Sequence, residues 1–119
     1  MTQTTYPRLY VETIGGVTVA SFADEEIVAE DVIHDVDEQL GELAGGLSSG
    51  NVLLNFREVR LMSSSVLAVL LKFSRRVASL QGKVKICCLD PSLREVFKIT
   101  RFDRLFEIHS EEFVALDSF

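Results

Sequence analysis

Hydrophobic and polar positions along the chain switch between a period of two and a period near four. Arg8 to Ile14 alternates weakly, with Leu9, Val11 and Thr13 on one face. Gly15-Gly16 follows, a two-residue hairpin signal. Val17 to Phe22 alternates cleanly and returns antiparallel to the first strand. Asp24 then offers a helix N-cap, with Glu25 and Glu26 in the first turn. Ile27, Val28, Val32, Val36, Leu40 and Leu43 recur at helical spacing, which predicts an amphipathic helix over Val28–Leu43 with an acidic outer face. Gly45-Gly46 ends it, and Leu47 to Gly50 is a loop. Met1 to Pro7 is polar and reads as a frayed, disordered tail of the single domain that spans 1–119.

The centre of the chain is Asn51 to Phe73. Val52 to Phe56 is an apolar run of strand length, buried on both faces. A short charged turn, Arg57 to Arg60, comes next. Leu61-Met62 precedes three serines, Ser63, Ser64 and Ser65. Val66, Leu67, Val69, Leu70, Leu71 and Phe73 then make a run apolar nearly all round, which predicts a helix from about Ser64 to Leu80 with little solvent exposure. Gly82 is its stop signal. The serines thus sit where a strand hands over to a helix, beside free N–H groups and the positive end of the helix dipole. A hydroxyl there can cap the helix or serve as a site where charge is added and removed.

Val84 to Leu89 is the next strand. Asp90-Pro91 opens a third helix, with Asp90 as N-cap and Pro91 at the first helical position, running to about Thr100. Leu105 to Ile108 is a short strand, and Glu111 to Leu116 a closing helical turn or two. Strands alternating with helices predict right-handed crossovers and an α/β fold: a mixed sheet of about five strands, mainly parallel after the hairpin, with three to four helices. The expected core is Leu53, Leu54, Phe56, Leu67, Leu70, Leu71, Val84, Ile86 and Phe97.

Several of these segments, in this order, resemble the STAS domain of anti-sigma factor antagonists over roughly residues 8 to 110. The family pattern runs from a strand through a hydrophobic pair and Asp-Ser-Ser-Gly-Leu-Gly into a helix; here it reads Leu61-Met62-Ser63-Ser64-Ser65-Val66-Leu67-Ala68-Val69. Gln81 to Ile86 resembles the family's glycine turn into a strand. Pro91 to Thr100 and Leu105 to Ile108 resemble its last helix and closing segment. Ser63 stands where the family usually has Asp, and Val66 where it usually has Gly. The resemblance implies that Ser64 is the phosphoacceptor, with Ser63 and Ser65 as alternatives. It also implies a partner-binding surface of Arg57, Glu58, Arg60, Met62, Ser63, Ser64, Ser65 and Val66. The implied partner is an anti-sigma factor of the serine kinase type, sequestered so that a sigma factor is freed, with a serine phosphatase reversing the switch. The alternative is a STAS scaffold subunit of a larger signalling or transporter-associated complex, never phosphorylated.

Composition changes this picture only at its edges. With 119 residues, 47% hydrophobic and 25% charged, the chain is an ordinary small globular domain. Its apolar runs fall far short of the ~20 residues of a membrane span, and no signal peptide is read at Met1–Pro7. Cys87 and Cys88 are neighbours in an apolar strand and read as reduced core residues of a cytoplasmic protein. The net charge is −6. Eleven of the twelve basic residues lie between Arg57 and Arg104, whereas Glu12 and the run from Asp24 to Glu42 make the first half acidic. The overall acidity argues against nucleic acid as a partner. The asymmetry fits either solvated faces or docking of charged protein surfaces.

No catalytic constellation emerges. A serine hydrolase needs a base, and the histidines are His34, in the acidic helix, and His109, near the end; no Gly-x-Ser-x-Gly surrounds Ser64. Metal-ligand spacing is absent. Gly15-Gly16 and Gly45-Gly46 lack the spacing and lysine of a phosphate loop. Asn55 occupies the strand end where a receiver-type phosphoacceptor would need Asp. The reading is therefore a binding protein, with no cofactor and no metal assigned.

Overall fold

The computed structural model describes residues 3–47 and 50–119. The hairpin signal at Gly15-Gly16 is realised directly. Both glycines have positive φ, 55° and 82°, the backbone that a tight two-residue turn between twisted strands requires. They join β2 (Leu9–Ile14) to β3 (Val17–Phe22), paired antiparallel from Leu9↔Phe22 to Ile14↔Val17. A further strand, β1 (Gln3–Thr5), pairs antiparallel with β2. The expected frayed tail is therefore in the sheet from Gln3 onward, because the exposed edge of β2 offers a backbone ladder to any extended chain. Met1 and Thr2 lie outside the described residues, as do Ser48 and Ser49 of the expected Leu47–Gly50 loop.

After β3 the chain departs from the sequence reading. Glu26–Ile27 forms a two-residue strand, β4, and α1 begins only at Glu30, running to Gly45. Asp24 is not the N-cap. Its carboxylate instead pairs with the Arg8 guanidinium at 2.9 Å. Ala29 occupies the cap position without a side-chain bond, and Glu30 and Asp31 supply the acidic first turn. Ile27 faces the core rather than continuing a helical stripe.

Then come β5 (Asn51–Asn55), β6 (Leu61–Met62), α2 (Ser65–Ser79), β7 (Lys83–Cys87), α3 (Pro91–Ile99), a 3-10 turn (Phe102–Arg104), β8 (Glu107–His109) and α4 (Glu112–Asp117). The main sheet has the order β1-β2-β3-β5-β7-β8, parallel from β3 to β8. β4 and β6 form a separate parallel clip, Glu26↔Leu61 and Ile27↔Met62. Asp90 caps α3 as read, its Oδ2 accepting from Ser92 N at 3.1 Å, with Pro91 in the first turn. Among the described residues no helix is long and apolar enough to cross a membrane.

One face of the sheet packs against α1, α2 and α3. Ala20, Phe22, Val52, Leu54 and Ile86 meet Val36, Leu40, Leu67, Leu70 and Phe97 there. Phe22, Phe56 and Phe97 stack through this layer, with ring centroids 4.7 and 6.3 Å apart. The opposite face, Val17, Val19, Leu53 and Cys87, is covered by Ala115 and Leu116 of α4 and by Phe119 beyond it. β5 is thus buried on both sides, as its continuous apolar run requires. Of the expected core, Leu71 and Val84 are only half-buried. α2 is amphipathic rather than enclosed: Val66, Leu67, Leu70, Phe73 and Val77 face the sheet, while Ala68, Lys72, Arg75 and Arg76 face solvent. Gly82 is not the left-handed residue after α2. Gln81 is, with φ 63°. Gly82 is needed because its Cα runs against the backbone of Gly50, where any Cβ would collide.

Candidate docking loop and switch serine

The loop starts at a buried amide. Asn55 ends β5 with 2% exposure. Its Oδ1 accepts from Arg57 N at 2.8 Å, an Asx turn that reverses the chain as it leaves the strand. Phe56 N donates to Cys87 O, and Val59 N to Phe56 O. Val59 is fully buried and pins the turn from below. Arg57, Glu58 and Arg60 are exposed around it.

The clip then holds the loop to the chain before α1. Arg60 N and Leu61 N both donate to Glu25 O, at 2.7 and 3.1 Å, and Ser63 N donates to Ile27 O at 3.0 Å. This is why Ile27 leaves the helical pattern: its backbone is the acceptor that places Ser63. Leu61 is 53% exposed, and so is Val28, just after β4, at 44%. Met62 and Val66 point inward instead, at 9% and 1% exposure, so their side chains support the loop and do not present themselves to a partner.

The three serines divide the work. Ser63 O accepts from Val66 N and Ser64 O from Leu67 N, which starts α2 with a tight turn. Ser63 Oγ lies 3.4 Å from Ser65 N, which donates to it, and 3.0 Å from Ser65 Oγ. Ser63 Oγ is therefore the hydroxyl turned onto the first residue of α2. Ser64 has helical backbone angles, φ −60° and ψ −24°, and makes no side-chain cap. Its hydroxyl is exposed and has no hydrogen-bond partner among the described residues. The first turn of α2 carries no acidic side chain, so added negative charge there meets the helix dipole unopposed by its own turn. Nearby, Asp90 is held below the ordinary carboxylate range by the Ser92 hydroxyl and backbone N–H, with Arg60 adding its charge.

No group of three or more His, Cys, Asp or Glu residues positioned to hold a metal occurs among the described residues. His34 pairs with Glu38 on α1 at 2.8 Å, and His109 with Glu107 on β8 at 2.6 Å. Neither reaches the serines.

The pattern of the STAS domain matches residues 11–114. The chain belongs to the STAS domain family. BtrV of Bordetella bronchiseptica, whose name assigns it to the anti-sigma factor antagonists, is 28% identical over 116 residues, covering 94% of each chain. The STAS domain is also similar in fold to an anti-sigma-factor antagonist domain protein of Planctomyces limnophilus, with a TM-score of 0.82, 23% identity, and coverage of 92% of this chain and 96% of that one. The phosphorylated form of the Bacillus cell fate determinant SpoIIAA aligns with a TM-score of 0.66 and 17% identity, over 92% of this chain and 97% of the other.

Within this STAS domain, two site-building features escaped the sequence reading. One is the β4–β6 clip. The other is a bond from Asn55 Nδ2 to Glu112 Oε2 of α4, at 2.6 Å. An asparagine at a strand end before a charged turn is an Asx-turn signal, so half of Asn55's role was open to inference; its tie to a residue far along the chain was not.

Proposed function

We propose that this STAS domain is an anti-sigma factor antagonist that binds a serine-kinase-type anti-sigma factor through the Arg57–Ser65 loop and the start of α2. Phosphorylation of Ser64 switches the binding off, and a serine phosphatase restores it. The protein then works in the cytoplasm, where its partner meets ATP and sigma factor. The observation that carries this reading is the state of Ser64: of the three hydroxyls at the helix start, it is the one that is exposed and without a bond, while those of Ser63 and Ser65 bond each other. The likeness to BtrV over nearly the whole of both chains supports the partner class.

The chemistry is a transfer of the γ-phosphoryl group of ATP to Ser64 Oγ by the partner kinase, which takes up the hydroxyl proton and releases ADP. It adds a charge of about −1.5 to −2. The helix start favours that charge in the free domain, whereas a partner seated on the same spot must desolvate it and meet it with its own surface. Binding is lost without unfolding.

The test is incubation of the purified domain with its cognate kinase and ATP, followed by site mapping by mass spectrometry. Phosphate is expected on Ser64. Ser64→Asp should fold normally and bind the kinase weakly. Ser64→Ala should bind constitutively and lose well under the ~1 kcal/mol of a helix cap, since Ser64 makes no cap bond. Phosphate on Ser63 or Ser65 alone moves the switch to that residue. No phosphate on any of them, with a kinase active on another substrate, leaves the scaffold reading.

A further inference from the structure

We infer that the C-terminal helix α4 sets the position of the docking loop through Asn55, so that the state of α4 is a second input to the binding surface. The inference rests on the proposed docking role of Arg57–Ser65, but the relay itself is a property of the free chain.

The relay has two bonds made by one buried amide. Asn55 Nδ2 donates to Glu112 Oε2 at 2.6 Å, and Asn55 Oδ1 accepts from Arg57 N at 2.8 Å. At 2% exposure Asn55 is almost shut off from water, at the floor of a crevice that Glu112 also lines. Losing the Glu112 acceptor leaves a buried donor unpaired and frees the amide, now held on the Arg57 side alone, to rotate. Rotation takes Oδ1 away from Arg57 N and releases the first turn of the loop. Glu112 and Arg57 also line both crevices at this end of the sheet, one with Tyr10, Glu12 and Ser21, the other with Cys88 and Phe113.

α4 is short and little of it is buried. It has six residues. Its Phe113 and Val114 are 63% and 41% exposed, and Ala115 is its one fully buried side chain. Its far end is tied by Lys85 Nζ donating to Ser118 O and Oγ at 2.7 and 2.8 Å. Such a segment opens more readily than the helices packed on the main core. Anything that lifts α4, including a partner that takes Phe113 and Val114, would reach the loop through Asn55.

The experiment uses NMR amide hydrogen exchange and backbone shifts of the free domain, comparing wild type with Glu112→Ala and Glu112→Gln. Glu112→Ala should speed exchange at Arg57 by about tenfold or more and shift the amides of Leu61–Ser65. Glu112→Gln keeps an acceptor oxygen for Asn55 while removing the charge, and should stay within about twofold of wild type at Arg57. Unchanged exchange at Arg57 in Glu112→Ala, or shifts that stop at Val59, would overturn the inference; so would a Gln variant that behaves like Ala. None of these readouts involves kinase or phosphate. The Ser64 switch and the α4 relay can therefore fail independently.

Discussion

Lys85 is a lysine at 5% exposure, and a buried ammonium needs acceptors on every side it loses water. It finds Ser118 O, Ser118 Oγ and Glu107 Oε2, the last at 2.8 Å, and lies under the Phe119 ring at 4.6 Å. His109 Nε2 donates to the same Glu107 oxygen at 2.6 Å. Lys85 first, and His109 second, pull the Glu107 carboxyl from its ordinary 4.5 down to about 2. As pH falls through that window the unfolded chain takes up the proton before the folded one does. The contribution of Glu107 to stability is thus complete above about 4.5 and is lost progressively towards about 2. Glu107→Gln should therefore destabilise the domain near neutral pH, and the gap to wild type should close on acidification. Urea denaturation at a series of pH values measures it; a gap independent of pH would rule out this account. None of this was legible in the strand. Alternation places Lys83 and Lys85 on one face, and no local signal says that Ser118 and Phe119 fold back over the second of them. The place of Ser64 at the strand-to-helix junction was legible. Its missing bond was not, because which of three adjacent hydroxyls find partners depends on the backbone angles between them.

At the scale of elements, period and punctuation carried most of the fold: the glycine hairpin, the doubly buried β5, α2 and the Asp90-Pro91 start of α3 all lie where the pattern put them. The misplaced start of α1 has a clear cause. Asp24-Glu25-Glu26 is a good local helix start, but tertiary contacts outweigh propensities of a fraction of a kcal/mol per residue. Arg8 takes Asp24, and β6 takes the backbone of Glu25 to Ile27. The error falls at the piece of chain that holds the proposed docking loop, where the locally preferred helix would leave Ser63 N without its acceptor. α2 was read as more enclosed than it is, since Val69 and Leu71 lie at the flanks of its buried stripe. Leu70 lies at the stripe's centre with no exposure. Leu70→Ala should cost roughly 2–5 kcal/mol, the range for a buried leucine whose site cannot collapse fully. A lower urea midpoint at unchanged slope would report it; a loss under about half a kcal/mol would mean that α2 does not hold the sheet through this residue.

Over the whole molecule, the charge segregation of the sequence becomes spatial. α1 connects β3 to β5, α2 connects β5 to β7, and α3 connects β7 to β8, all on one face of the sheet. The acidic α1 therefore packs beside α2, which carries Lys72, Arg75 and Arg76 and no acidic side chain, and part of the opposition is spent internally, as Lys72 reaches Asp37 at 2.7 Å. The proposed docking loop leaves the end of β5, with Arg60 exposed on it beside Asp90. A charge at such a rim acts on the approach of a partner more than on the finished contact. Reversing it with Arg60→Glu should slow association with the proposed kinase and leave dissociation nearly unchanged. The effect should be largest at about 0.01 M salt, where the screening length is about 30 Å, and should shrink at about 0.1 M, where it is about 10 Å. Stopped-flow association over that range separates the two rates. If the association rate of the variant matches wild type at every salt concentration, Arg60 is outside the encounter surface. If instead dissociation speeds up at all salts, Arg60 is buried in the contact, and the docking face extends further towards α3 than the exposure of Leu61 and Ser64 implies.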